Sequence, residues 1–283
     1  MRTVTSHTGS SDTTPSHEAY PLVERIDVVQ TTLRIDPHVH SEGSYDAHDP
    51  VELLLEQAAE IGLDGIVVTD HDVIHESLRA AELAPEYGLI GIPGVEVSTN
   101  VGHLLAIGVT EMPPRRAPLD ETVAWIRNHG GVAVVPHPFQ RSRHGIPRRH
   151  LVDCDAVEVF NSWLFTGFRN RRARRFAAER GYPALAASDA HSVPHVGRAF
   201  TELVIDDVAR TDLDGDAVLD GVRSGATRML GRRQPIPASA RHYAIGTARK
   251  SGYYAKAGAL RGQAAAKAGA LRGAQLLAKL SPR

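Results

Sequence analysis

From Leu33 to about residue 225 the chain alternates apolar, β-branched runs with stretches of helical period. The runs Leu33 to His40, Gly65 to His71, Leu89 to Ser98, His103 to Val109, Val132 to His137, Ala156 to Asn161 and Ala184 to Ser188 read as strands. Between most of them lie helical patterns: VELLLEQAAEIG from Val51, HESLRAAELAPEYG from His75, DETVAWIRNHG from Asp120 and GFRNRRARRFAAERG from Gly167. Each closes at or near a glycine, the residue that most readily ends a helix in the left-handed conformation. Strands separated by such helices predict βα units, a parallel sheet and an α/β fold, and seven strands predict a barrel.

Composition bounds this picture. The 283 residues, 42% hydrophobic, suffice for one sizeable core. Residues 1–30 read as a disordered, Ser/Thr-rich lead-in, 31–228 as the folded barrel and 229–283 as a basic Ala/Gly-rich tail. A single cysteine, Cys154, excludes an intrachain disulfide and favours a cytoplasmic setting. No stretch has the length and apolarity of a secretory signal or a transmembrane segment. The net charge of −1 conceals an asymmetry: Gly221 to Arg283 holds 13 Lys and Arg and no acid, leaving 19 basic and 33 acidic side chains before it.

Titratable residues gather where strands end. Asp36, His38 and His40 close the first strand, and alternation points all three to one face. Asp70 and His71 close the second, Glu96 lies near the end of the third, and His137, Asn161 and the pair Asp189 and His191 follow the last three. His103 begins the fourth strand and joins the others only if that strand runs in reverse. In βα barrels such ends converge on one mouth. Imidazoles and carboxylates without thiolates favour Mn²⁺, Zn²⁺ or Fe²⁺, with Mg²⁺ possible, and they are too many for one tetrahedral ion. Two or three ions fit, a cluster suited to gripping phosphate oxygens and lowering the pKa of a bound water toward ~7.

DPHVH (36–40), TDHD (69–72), GVEVS (94–98), GHLLAIG (102–108), PHP (136–138) and SDAH (188–191) together resemble the polymerase and histidinol phosphatase (PHP) family of metal-dependent phosphoesterases, across residues 34 to about 206. The resemblance implies a distorted seven-stranded βα (TIM-like) barrel with a two- or three-metal centre. It further implies that His38, His40, Glu96 and Asp189 surround one metal, that Glu96 bridges to a second held by His103 and His137, and that a third is held by His71, His191 and an acidic or histidine residue after the first motif. Asp46 is the candidate for that place, with Glu42 and His48 as rivals. Asp189 or His191 would assist proton transfer.

Around this set, Asp36 and Asp70 are expected to orient imidazoles or to act structurally, and Asp72 to cap the next helix. Asn161 either touches substrate or caps a turn. Among arginines able to read a phosphate, Arg169 leads the run from Arg169 to Arg175, with Arg141, Arg143 and Arg198 behind it. His144, His150 and His195 read as ordinary loop histidines.

The expected substrate is a phosphomonoester, small or nucleotide-like. The basic tail, which carries AKAGALRG twice with a period of 11 as a cationic helix or a frayed extension, raises a nuclease acting on nucleic-acid ends as the alternative. A membrane surface or the acidic barrel could also receive the tail. A non-catalytic binding module is the third reading. The short interval from Glu96 to His137 leaves little room for a cap over the mouth.

Overall fold

The structure, a computed structural model, describes residues 30–140, 144–151, 153–163, 167–206, 208–241, 244 and 263. The lead-in before residue 30, Arg141, Arg143 and, Gln263 apart, the repeat of the tail lie outside these residues.

Among the described residues strands and helices follow one another as β1 (Gln30–Val39), α1 (Val51–Glu60), β2 (Gly65–Val68), α2 (His75–Leu83), β3 (Gly94–Ser98), β4 (His103–Ile107), α3 (Leu119–Asn128), β5 (Val132–Val135), β6 (Ala156–Asn161), α4 (Gly167–Arg180), β7 (Ala184–Ala187), β8 (Ala199–Asp206), α5 (Gly215–Ser224) and β9 (Thr227–Gly231), with further helical residues at 236–241. All seven strand runs read from the sequence contain a strand, and all four helical patterns contain a helix.

The expected barrel needs correction. The ladders form two sheets, β2-β1-β8-β9 and β3-β4-β5-β6-β7, with no closed seven-stranded ring among the described residues. Among the described residues the backbone ladders of the two sheets are linked by isolated bridges, His71 to Glu96 and Val39 to Ala190. Nor is the sheet wholly parallel, because β4 is antiparallel to both β3 and β5, and β8 to β1.

Packing follows the sequence pattern. In α1 the buried Val51, Leu54, Leu55 and Ala58 recur at the spacing of one helical face. The runs GIVV of β2 and VAVV of β5 are buried on both faces, as strands covered on both sides must be. Leu33, Ile35 and Leu203 of the first sheet meet Leu105, Val134 and Leu185 of the second in one shared cluster, joined by Val218, Leu219 and Val222 of α5. Leu219 lies against Gly108, just past the end of β4 opposite His103, so α5 plugs the end of the core remote from that histidine.

Candidate metal centre

The antiparallel course of β4 brings its first residue, His103, to the end of the sheets where β3 and β5 finish. The two bridges between sheets lie at the same end. There the chain collects His38 and His40 from the close of β1, His71 after β2, Glu96 from β3, His137 after β5, and Asp189 and His191 after β7. Asp46 arrives from the loop after β1. Two of these residues, His137 (φ 28°) and Asp189 (φ 53°), hold left-handed backbones. Such conformations cost roughly 1–3 kcal/mol each and persist only where surrounding structure enforces them.

Glu96 stands at the centre. Its Oε1 lies 2.9 Å from His103 Nδ1 and 3.2 Å from His137 Nε2. Its Oε2 lies 3.3 Å from His38 Nε2, 3.4 Å from His40 Nε2 and 3.2 Å from His71 Nδ1. One carboxylate thus faces two sets of imidazoles with its two oxygens. Asp189 Oδ1 sits 3.6 Å from His38 Nε2 and 3.4 Å from His40 Nε2. Asp46 Oδ2 lies between His71 Nε2, at 3.4 Å, and His191 Nε2, at 3.2 Å.

Hydrogen bonds alone do not account for this packing. His38 Nε2 and His40 Nε2 face each other at 3.0 Å, and His38 already donates from Nδ1 to Glu158 at 3.1 Å, so its Nε2 presents a lone pair. Buried His40 Nδ1, His71 Nδ1 and His137 Nδ1 have no hydrogen-bond partner among the described residues. Separations of 3.0 to 3.6 Å are the edges expected between neighbouring ligands of a cation held at roughly 2.1 Å. The donor atoms group as His38, His40 and Glu96; His38, His137 and Asp189; His71, Glu96 and His103; and His40, Asp46, His71 and His191. The residues present therefore fit divalent ions.

The electrostatics agree. Burial alone would raise Glu96, yet the imidazoles of His71, His103 and His38 hold it well below the usual range. Asp46 is likewise held low against its burial, by His191 and His71. Burial, reinforced by the charge of His191, drives His40 down to about 3, so this imidazole stays neutral and able to coordinate. The rivals Glu42 and His48 are exposed and belong to none of the four groups.

The neighbouring carboxylates divide between structural and orienting roles. Asp36 accepts the N–H groups of Ser188 and Gly197 at 3.0 and 2.9 Å, and the β1–β2 register shifts just after it. It belongs to none of the donor groups and ties β1 to the segment after β7, while burial lifts it to about 7. Asp70 accepts from the backbone and hydroxyl of Ser41, which fastens the loop carrying Asp46. Asp72 is no helix cap: α2 begins after Ile74, and Asp72 accepts the Ser98 N–H at 2.8 Å at the end of β3. The imidazole-orienting carboxylate is Glu158, absent from the sequence reading, which receives His38 Nδ1 and the His137 N–H at 3.3 Å. Its one signal was a glutamate inside the apolar run AVEVF.

Of the expected substrate contacts, Asn161 is fully buried and its amide is committed inward, donating to Asp189 Oδ2 at 2.8 Å and accepting the Trp163 N–H at 3.0 Å. It caps the turn and positions Asp189. Arg169 donates to the Phe139 carbonyl at 2.6 Å and Arg198 to the Arg233 carbonyl at 3.2 Å, so both brace loops. His144 stacks on His103 with ring centroids 5.0 Å apart, and His195 faces Trp163 and takes part in a hydrogen bond with Ser192. Tyr45, unremarked in the sequence, stacks on His71 at 4.9 Å and remains 56% exposed, at the rim of the cluster.

Comparison with known proteins places these features in context. The family model for the PHP domain matches residues 36–133, and the PHP-associated model matches residues 167–227. Two uncharacterised proteins of Methanocaldococcus jannaschii align at 30% identity over 185 residues, covering 62% of this chain and 73% of the relative, and at 27% over 152 residues, covering 50% and 89%. A phosphoribosyl 1,2-cyclic phosphate 1,2-diphosphodiesterase of Eggerthella lenta is 38% identical over 90 residues, 30% of this chain and 34% of its own. Among solved structures, a two-domain Bacteroides vulgatus protein containing a predicted PHP-like metal-dependent phosphoesterase superposes with a TM-score of 0.58 at 19% identity, covering 72% of this chain and 66% of that one. Among the described residues no helix is long and apolar enough to cross a membrane.

Proposed function

Because this chain belongs to the PHP family of phosphoesterases, we propose that it hydrolyses a phosphomonoester on a small or nucleotide-like substrate with two or three divalent ions, Mn²⁺, Zn²⁺ or Fe²⁺ in the first instance and Mg²⁺ as a further option. The observation that carries this reading is the division of Glu96, one oxygen toward His103 and His137, the other toward His38, His40 and His71. His38, His40, Glu96 and Asp189 would hold one ion, Glu96, His103 and His137 a second, and Asp46, His71 and His191 a third. Such ions, when bound, supply positive charge to the phosphate oxygens and lower the pKa of a coordinated water to ~7.

The chain's own residues prepare the rest. Asn161 fixes Asp189 through its second oxygen, leaving Oδ1 toward the cluster. Asp189 or His191, 3.6 Å apart, would assist proton transfer where a phosphate would enter. Tyr45 offers an aromatic face at the rim. The Eggerthella relative is named for cleaving a phosphodiester, in keeping with phosphoester chemistry here. A non-catalytic binding role is disfavoured because the ligand-type positions are filled. A nuclease reading gains support from a separate surface, described below.

The test is a panel of phosphorylated compounds assayed with added Mn²⁺, Zn²⁺ or Mg²⁺, alongside elemental analysis of bound metal. Glu96→Ala is expected to abolish turnover and lower the metal content. Full activity in that variant would refute the bridging assignment; a parent that takes up no metal and hydrolyses nothing in the panel with any of the added ions would refute the whole reading.

A further inference from the structure

Helix α4 carries a second chemistry. Its buried stripe, Asn170, Ala173, Phe176 and Ala177, seats it on the five-stranded sheet. The opposite stripe, at helical spacings of three and four residues, is Phe168, Arg171, Arg172 and Arg175, all exposed. Against this stripe Phe139 and Arg148 complete the lining of a groove of about 370 Å³. Arg172 lies over the Phe139 ring at 4.7 Å and Arg148 over the Phe176 ring at 5.6 Å, so guanidinium planes alternate with aromatic faces. Glu179 is the single acid lining the groove, 3.7 Å from Arg148. Phe168 is 61% exposed, an unusual display for a large apolar ring.

The groove and the metal centre share one stretch of chain. Phe139 is two residues beyond His137, and its carbonyl receives Arg169 of α4.

We propose that this groove binds single-stranded nucleic acid, one base stacking on Phe168 and the flanking phosphates pairing with Arg171 and Arg175. Aromatic faces interleaved with cations are what an unpaired strand recognises irrespective of sequence. A phosphorylated peptide would use the arginines and leave the ring idle. The volume is near the lower bound of about 300 Å³ for small-ligand sites, room for one nucleotide-sized unit. The inference rests on the phosphoesterase reading for what happens to the strand's end; binding to the groove itself needs no turnover.

Fluorescence anisotropy of a labelled oligodeoxythymidylate with the full chain, metal stripped by chelator, tests it. Phe168→Ala is expected to weaken binding roughly tenfold with charge unchanged. Arg171→Ala with Arg175→Ala should lower the slope of log affinity against log salt by roughly 1.4, two phosphate contacts at ~0.7 each. Phe168→Trp should keep the affinity and add fluorescence quenching on binding, a signal that a merely structural role would not give. In all three variants metal content and turnover of p-nitrophenyl phosphate should match the parent, since none of these residues belongs to the cluster. Undiminished oligonucleotide affinity in the alanine variants, or equal competition by a phosphopeptide of matched charge, would overturn the inference. Because binding is read without metal, failure of the phosphoesterase reading and failure of the groove are separate results.

Discussion

His38 Nδ1 donates to Glu158 Oε2 at 3.1 Å, with both side chains buried and their positions 120 apart in the chain. The bond fixes the tautomer of His38 so that its Nε2 lone pair faces Glu96 and Asp189, and the same carboxylate oxygen also receives the His137 N–H. One buried glutamate thus positions two members of the cluster without belonging to any of its donor groups.

Removing such a partner commonly lowers metal affinity 10- to 100-fold. Glu158→Gln is expected to fall in that range when measured by competition with a chromophoric chelator, because its amide can still accept from His38 but no longer enhances the basicity of the ring. Glu158→Ala leaves both donors stranded in a buried site, and each stranded donor costs about 1–3 kcal/mol. An unaltered affinity in Glu158→Gln would show that His38 is oriented by packing alone.

Gly108 illustrates a constraint at the far end of the core. Its φ is 83°, and a Cβ there would lie 2.4 Å from Leu219 Cδ1 of α5. Both backbone strain and overpacking oppose any side chain, so Gly108→Ala should cost roughly 2–4 kcal/mol in urea unfolding. Activity at the distant cluster should persist at low temperature. Wild-type stability in this variant would mean that α5 does not seal the core.

These contrasts show what the sequence could disclose. Apolar runs reveal strands because burial on both faces leaves no polar positions, as in VAVV of β5. The reversal of β4 was legible only as a condition attached to His103, since period alone carries no strand direction. The antiparallel pair β8 and β9 and the helix α5 between them escaped, because the end of β8 and all of β9 are only partly buried and give a weaker apolar run. Sheet closure depends on hydrogen bonds between strands distant in sequence, so the barrel was an extrapolation. At the site, residue type and strand position brought out most of the residues that cluster, whereas their supports were legible only in part. Asp36 and Asp70 take the structural one of their two readings by accepting backbone N–H groups, Asp72 accepts from the end of β3 instead of capping α2, and the partner of His38 is Glu158.

Cys154 offers a check on burial. Desolvation, with Asp155 adding to it, pushes the thiol from its ordinary 9.0 up to about 12. The thiolate is the reactive form, so iodoacetamide should label the native protein near neutral pH only at the rate of global unfolding. The raised value also favours the folded state below pH 9, and this contribution is lost as pH climbs from 9 toward 12. Prompt labelling without denaturant would show that Cys154 is reached by local opening.

The last prediction concerns protons and metal together. Burial would lower His71, but Glu96 and Asp46 outweigh it and lift the metal-free imidazole to about 9. His38 is raised for a related reason: Asp189 and Glu96 overcome its burial. At about pH 7 the stripped protein therefore holds protons on rings whose lone pairs a cation requires, and loading must release them. The release should appear in calorimetric titrations with Mn²⁺ or Zn²⁺ as a heat that varies with the ionisation enthalpy of the buffer. The share due to His71 should vanish above pH 9. The sign for stability is opposite in the two forms. Without metal, the raised His71 contributes stability in full below its ordinary 6.5, and this is lost as pH rises through 9. With metal, binding tightens over the same interval and adds ~2.7 kcal/mol for free metal at about a hundred times Kd. Melting temperatures of the stripped and loaded protein should therefore diverge with rising pH. A metal-binding heat independent of buffer, or melting curves that run parallel, would mean that the cations bind somewhere other than this cluster.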